Sequence, residues 1–563
     1  MPSTYPTTAD SLPLPTWTGT LGQPARPASA FLTDVVDAVK AVQAALGTSA
    51  AAGTLPALRG YTRIDVVAAH GADRTGVASA SAAVDAAIAA ANTAGGKVEI
   101  YFPPGSYNLT AGVTTAITTS HVHVVGGGMG VTTLLGGSNT LFAWGNGGAA
   151  TVVGGGMRDL SLTYTSPATS SRAVHINGAS SQKFARLFLD NVRTLARLGE
   201  SGALAAAPSF EHVYGATDPA ANSVVLDAAF GSALRLSDVV VNAKGVGFPA
   251  DTTTPHPAAA GTTFLRLGQG GWDTVHAHGV ITNRYDRGLD IDASAAVVLT
   301  NMWFTNCVFD YSKSHGIRIR ANNAGSNIRS LYFTACWAVG TDGHSVEVLG
   351  TAGLLKHIHF TDCVGRQAGQ NNWRVSGSGL EDVSLTACHG LGANRLAASN
   401  AGSLQDDTVI LASNVTIRGG RFGEDGSSYT GFTCQGRYGI TLGGDVLAYL
   451  VRDAEVSGVT DAFQLGANTS GSKRRLVTGN KTPTGAPSYA TTAAFTAPTS
   501  NVEQTHMAAT VDRLMVFGGT VTSIQVNGVE VGTTGPATVT LSPGDTWKLI
   551  YSAAPTVVRQ VVA

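Results

Sequence analysis

Charged side chains are scarce in this chain: Asp, Glu, Lys and Arg make up 13% of its 563 residues, about half of the ~25% usual for soluble domains. The charge that is present nearly cancels, at a formal net charge of −1, which excludes the basic footprint of a nucleic-acid-binding protein. No apolar run approaches the ~20 residues of a membrane-spanning helix, so no membrane insertion is expected. The N-terminal stretch MPSTYPTTADSLPLPT lacks both the basic and the apolar part of a secretory signal, so no signal peptide is expected. Cysteine is sparse and odd in number, at five with no CxxC pair. That argues against a disulfide framework and against a structural zinc site.

Glycine is abundant instead, at 69 of 563 residues, against a usual ~7%. Little charge and much glycine fit a chain of many short strands joined by tight turns. Residues 1–29 are rich in Pro, Thr and Ala without periodicity and read as an irregular arm. Leu32, Val35, Val39, Val42 and Leu46 then step by 3, 4, 3 and 4, an a/d seam between a cap at Ser29 and a stop at Gly47. Two heptads fit equally a short coiled-coil seam or one amphipathic helix docked on its own domain. The expected organisation is an arm and seam at 1–58, an opening segment with a capping helix at 59–120 and a repetitive body at 121–480. A Pro/Thr/Ala linker at 481–504 and a small β-module at 505–563 complete it.

The body carries an internal repeat. WFTNC (303–307), YFTAC (332–336), HFTDC (359–363) and SLTAC (384–388) recur with Cys-to-Cys spacings of 29, 27 and 25. Between them recur GLDIDA (288–293), GIRIRA (316–321), SVEVLG (345–350) and NWRVSG (372–377). Two short strands returning in one order with a period near 27 predict a coil of stacked rungs. A propeller blade needs a period of ~40–45. The expected fold is all-β, a single-stranded right-handed parallel β-helix. Four of the five cysteines then form one inward column of free thiols, spaced too widely for the ~3.8 Å that a disulfide prefers between Cβ atoms.

Candidate chemistry follows from the same alignment. Asp290 and Asp292, two apart on a strand, share one face, and paired carboxylates are what a glycosidase needs. The alignment also stacks Asp290 on Arg318, Arg318 on Glu347 and Glu347 on Arg374, with Asp292 on Arg320. That is a column of alternating sign, worth a few tenths to ~1 kcal/mol per pair, and such pairing holds carboxylates ionised rather than ready to donate a proton. The structural reading is therefore favoured, with Asp290, Asp292, Asp310, Asp342 and Glu347 kept as catalytic candidates. The pairs His121/His123, His276/His278 and His357/His359 each put two rings on one strand face. Asn301 and Asp382, rather than further histidines, share the column of His357, so neither a metal nor any cofactor is expected. Trp373 falls in the inward column of Leu289. Trp337, after the Cys column, is the better platform for a sugar ring, with Arg318 and Arg320 as accompanying candidates for glycan contact.

Gly71-Ala72-Asp73, the Ala-rich stretch 82–91, Gly95-Gly96 and FPPGSY (102–107) together resemble the start of the pectate-lyase-like β-helix superfamily, departing from it at 74–78, where relatives carry an acidic stretch. The helix predicted there would cover the open end of the coil, whose strand edges would otherwise be unpaired. Calcium-dependent members of that superfamily set Asp clusters beside an Arg; Asp310, Asp342 and Arg366 are residues of those types, and nothing in the sequence fixes such an arrangement for them. SPGDTWKLIYSAAPT (542–556) resembles the small β-modules that end minor tail proteins of phages of high-GC actinobacteria. Together the two ends resemble a phage tail spike or minor tail protein. That resemblance implies a homotrimer on the virion, attached through its N-terminal region to other tail proteins. It also implies recognition, and in some cases depolymerisation, of a host cell-surface polysaccharide. A secreted lyase or hydrolase and a structural fibre without activity remain the alternatives.

Overall fold

The computed structural model describes residues 61–148, 152–200, 202–247, 255–258, 260–394, 405–423, 437–443 and 449–457, and shorter stretches, mostly strands, from 461 to 562. The seam at 32–46, the arm before it and Cys434 lie outside the described residues.

After a strand at Thr62–Asp65, the helix Ser81–Ala94 turns Val84, Ala87, Ile88 and Ala91 into the same core as the strands that follow. Gly95 ends it at φ +64°, a conformation only glycine adopts without strain. Val98–Phe102 and Gly105–Leu109 then begin the stacked body, where every strand pairing is parallel.

From residue 287 onward each rung has one plan. Arg287–Ala293, Val298–Thr305 and Val308–Asp310 make the first. His315–Ala321, Asn327–Thr334 and Trp337–Val339 make the next. His344–Gly350, Leu354–Thr361 and Val364–Arg366 follow. The first strands of successive rungs belong to a sheet that has twelve strands among the described residues; the second and third strands form two further ribbons of a larger parallel sheet. This is the all-β parallel β-helix that the repeat predicts, and the register puts Leu289, Ile317, Val346 and Trp373 in one buried column, as aligned from the sequence.

The motif Phe-Thr-x-Cys has a physical meaning at each position. Phe304, Phe333 and Phe360 point inward and stack with ring centroids 4.8 and 4.7 Å apart, one ring per rung at the strand spacing. The residue before each Cys turns the chain: Asn306, Ala335, Asp362 and Ala387 have φ of 53°, 52°, 52° and 52°. A left-handed non-glycine residue costs ~1–2 kcal/mol. Each such N–H donates to the carbonyl of the next rung, Ala335 to Thr361 at 2.9 Å and Asp362 to Thr386 at 3.0 Å, which offsets the strain. The thiols behind the bend are free and buried, with Cys336 Sγ donating to the Phe304 carbonyl at 3.3 Å.

Residues 493–562 build two antiparallel four-stranded sheets around their own core, in which Leu514, Ile524, Leu541, Trp547 and Val557 are buried. Asn527 and Gly528, both at positive φ, join Thr520–Val526 to Val529–Gly532 as the two-residue hairpin predicted there. Ala493–Phe495 falls within the stretch read as linker, yet it is a strand pairing with Thr556–Val562. Its short apolar run completes a sheet edge, which composition alone hides. Among the described residues no helix is long and apolar enough to cross a membrane.

Candidate functional site

The outer face of the twelve-stranded sheet is a charge ladder. His175, Arg197, Asp227, Arg266, Asp290, Arg318, Glu347 and Arg374 follow one another in register, rung by rung. Alternation of sign from Arg197 to Arg374 turns mutual repulsion into attraction at every step. Arg318 binds Asp290 with two hydrogen bonds of 2.8 Å and reaches Asp292 at 3.1 Å, while Arg320 holds Asp292 at 2.6 Å. Asp290 is only 2% exposed although it lies on the outer face, because Arg318 and Arg287 cover it. Burial alone raises the Glu347 carboxyl, but His315 at 3.2 Å, His344 and Arg374 outweigh it and hold the group at about 2. A groove of about 450 Å³ opens above the ladder, lined by Arg266, Gln269, Arg287, Asp292, Arg320 and others.

The structure therefore brings five candidates together, Asp290, Asp292, Glu347, Arg318 and Arg320, and engages each in ion pairs. The other three lie elsewhere. Asp342 sits in the turn after Trp337–Val339, beneath a crossing segment at 255–258, where it accepts a hydrogen bond from the backbone N–H of His256. Asp310 and Trp337 stand on the ribbon of third strands.

That ribbon is the most ligand-like surface of the body. Its outward column runs Ile281, Val308, Trp337, Val364 and His389, and the column two residues on runs Asn283, Asp310, Val339, Arg366 and Leu391. Trp337 is 49% exposed and enters no ring stack among the described residues. Burial pushes the Asp310 carboxyl up to about 7, against the lowering effect of the Val339 N–H that it accepts at 3.1 Å. Asp310 and Arg366 stand two rungs apart in one column, about 10 Å between backbones at the usual strand spacing.

A feature missed by the sequence reading lies on the second strands. His276, Trp303, Tyr332 and His359 form one stack, with successive ring centroids 4.7, 5.8 and 5.4 Å apart and planes within 24° of parallel. Its signal was present: the residue before each Phe of the repeat is Trp303, Tyr332 and His359, and before the equivalent Leu385 it is Ser384. Because the rings stack along the coil, their faces cover one another and mainly their edges meet solvent. Trp337, between Val308 and Val364 on its own ribbon, is 49% exposed, against 36% for Trp303 in the stack.

Residues 65–200 match the family described as rhamnogalacturonase A/epimerase, pectate lyase-like. No curated protein matches the chain in sequence. Among solved structures, the tailspike protein of E. coli bacteriophage HK620 is similar at 13% identity over 90% of this chain and 93% of that one, with a TM-score of 0.42. Tailspike protein 3 of bacteriophage CBA120 is similar at 13% identity over 76% and 62%, with a TM-score of 0.39. The A-module of the Azotobacter vinelandii mannuronan C-5 epimerase AlgE6 is similar at 15% identity over 74% and 98%, with a TM-score of 0.32. The resemblance noted at Gly71–Tyr107 thus lies inside a segment that matches a pectate-lyase-like family, and that segment opens a parallel β-helix.

Proposed function

We propose that this chain is a phage tail spike or tail fibre whose β-helix recognises a host cell-surface polysaccharide. The observation that carries this reading is Trp337, a large aromatic residue about half exposed on a ribbon where Val308 and Val364 flank it and Arg366 stands nearby. A sugar ring presents an apolar face bordered by hydroxyls, and an open indole with a neighbouring guanidinium is complementary to both. The pectate-lyase-like segment at 65–200 and the likeness of the C-terminal stretch to minor tail proteins support the same reading. In it, residues 1–58 attach the protein to other tail components, and the 32–46 seam assists a homotrimer on the virion.

Asp310 supports a second reading, in which the bound glycan is also cleaved. A carboxyl with a pKa of about 7 is half protonated at neutral pH, the condition a general acid needs, and it shares its ribbon with Trp337. The test is incubation of the purified protein with capsule and wall polysaccharides from candidate hosts, following retention of glycan and release of reducing ends. Retention lost in Trp337→Ala supports the binding reading. Release of ends lost in Asp310→Asn, with retention kept, adds the enzymatic one. No retention of any glycan by the wild-type protein counts against both.

A further inference from the structure

His357, His359 and Asp382 converge on the second-strand face. His357 and His359 stand two apart on Leu354–Thr361, and Asp382 occupies the position of His357 one rung on. His357 is at φ +55° and Asp382 at +58°, so both lie on the same left-handed bend, and that bend turns their side chains toward one point. His357 Nδ1 lies 2.7 Å and His359 Nε2 3.6 Å from the same carboxylate oxygen, Asp382 Oδ2. One ligand atom from each residue lies within 4.8 Å of the other two.

The other nitrogen of His359 is already committed: Nδ1 is 2.7 Å from Ser384 Oγ. A hydrogen bond to the remote ring nitrogen is the usual way a metal-binding histidine is fixed in orientation. The three side chains are 44%, 28% and 52% exposed, open to an ion from solvent. Lys356, next in sequence to His357, is neutralised by Glu381 at 2.9 Å.

We propose that His357, His359 and Asp382 form a binding site for a divalent transition metal of the zinc, nickel or cobalt class. Two imidazole nitrogens and one carboxylate oxygen suit these ions and not calcium or magnesium, which take oxygen ligands. Ligands at ~2.0–2.1 Å around a tetrahedral ion stand about 3.3 Å from one another, so His357 and Asp382 separate by a few tenths of an ångström to admit it. The fourth position is left to water or to an anionic group in the adjoining groove of about 420 Å³, which His357 lines together with Asn301, Arg329, Ser330 and Lys356. The ion would tie two neighbouring rungs together across the open face. The sequence reading set His357 and His359 aside because no further histidine shares their column; the column supplies a carboxylate instead.

The experiment is calorimetric titration of untagged protein with zinc chloride, with cobalt chloride as a spectroscopic probe of nitrogen ligation. Saturable binding of one ion per chain is expected. It should be abolished in His357→Asn and His359→Ala, and weakened about 10-fold in Ser384→Ala, the usual cost of losing an outer-shell partner. Asn tolerates the left-handed backbone at 357, so the variant keeps its fold, which a thermal melt checks. His212→Ala, which removes a two-residue His–Asp pair with Asp238 at 3.5 Å, should bind as the wild type does. No saturable binding by the wild type, or equal binding by wild type, His357→Asn and His359→Ala, overturns the proposal.

Discussion

Arg318 and Asp290 meet across neighbouring rungs in a bidentate pair, both contacts at 2.8 Å, with the Arg318 and Asp290 side chains only 7% and 3% exposed. The pair makes Asp290 part of the framework. Arg318→Ala strands a buried carboxylate that keeps only Arg287 at 3.3 Å, and it should destabilise the body by about 3 kcal/mol. Denaturant unfolding followed by circular dichroism measures this. Asp290→Asn should leave any reducing-end release unchanged.

Acid should weaken the ladder in a defined window. His344, driven down mainly by burial and then by His315, stands at about 3, and Glu347 at about 2. Both are depressed from their usual values of 6.5 and 4.5, so each contributes stability that is complete above its unfolded pKa and is lost as pH falls toward its folded one. The melting temperature should therefore drop from about pH 6.5 downward through His344, and further below about 4.5 through Glu347. His344→Gln should remove the upper part of that fall.

Asp310 carries the opposite sign. Its pKa is raised from 3.8 to about 7, so its favourable contribution is complete below the unfolded value and lost as pH rises through the folded one. Asp310→Asn keeps the acceptor for the Val339 N–H and cannot ionise. It should melt higher than the wild type at pH 8, with the difference vanishing near pH 4. Equal melting temperatures at both pH values would contradict the assignment.

The four thiols of the Cys column should resist chemistry while the coil is intact. Cys307, Cys336, Cys363 and Cys388 are at most 2% exposed, and burial raises the Cys388 thiol well above its usual range. Alkylation with iodoacetamide, mapped by mass spectrometry, should leave all four unmodified in native protein and label all four after unfolding.

The rungs between 287 and 391 were legible in the sequence because their spacing is regular and each bend is marked by the same Thr-x-Cys. Earlier rungs were hard to read. Arg172–Ile176, Thr194–Leu198, Val224–Ala228 and Thr263–Leu267 occupy the same sheet as Arg287–Ala293. The segments between them vary widely in length and carry no Cys to mark the bend. The charge ladder was legible from 290 to 374 for the same reason and invisible upstream, where Arg197, Asp227 and Arg266 extend it. Candidate sites fared less well. The repeat spacing already put Asp382 in the column of His357, but the left-handed bend at both residues, which brings Asp382 against His357 and His359, is not encoded in local periodicity. The exposure of Trp337 and the burial of Asp310 likewise depend on which turns cover which face.

Binding of host polysaccharide by wild-type protein and Trp337→Ala, measured side by side on immobilised glycan, tests the central claim most directly. An exposed residue contributes little to stability, so the variant should fold as the wild type does. Its affinity should fall about 30-fold, the loss of one anchor of ~2 kcal/mol. Equal affinity in the two proteins would contradict the assignment of this ribbon as the glycan-binding surface.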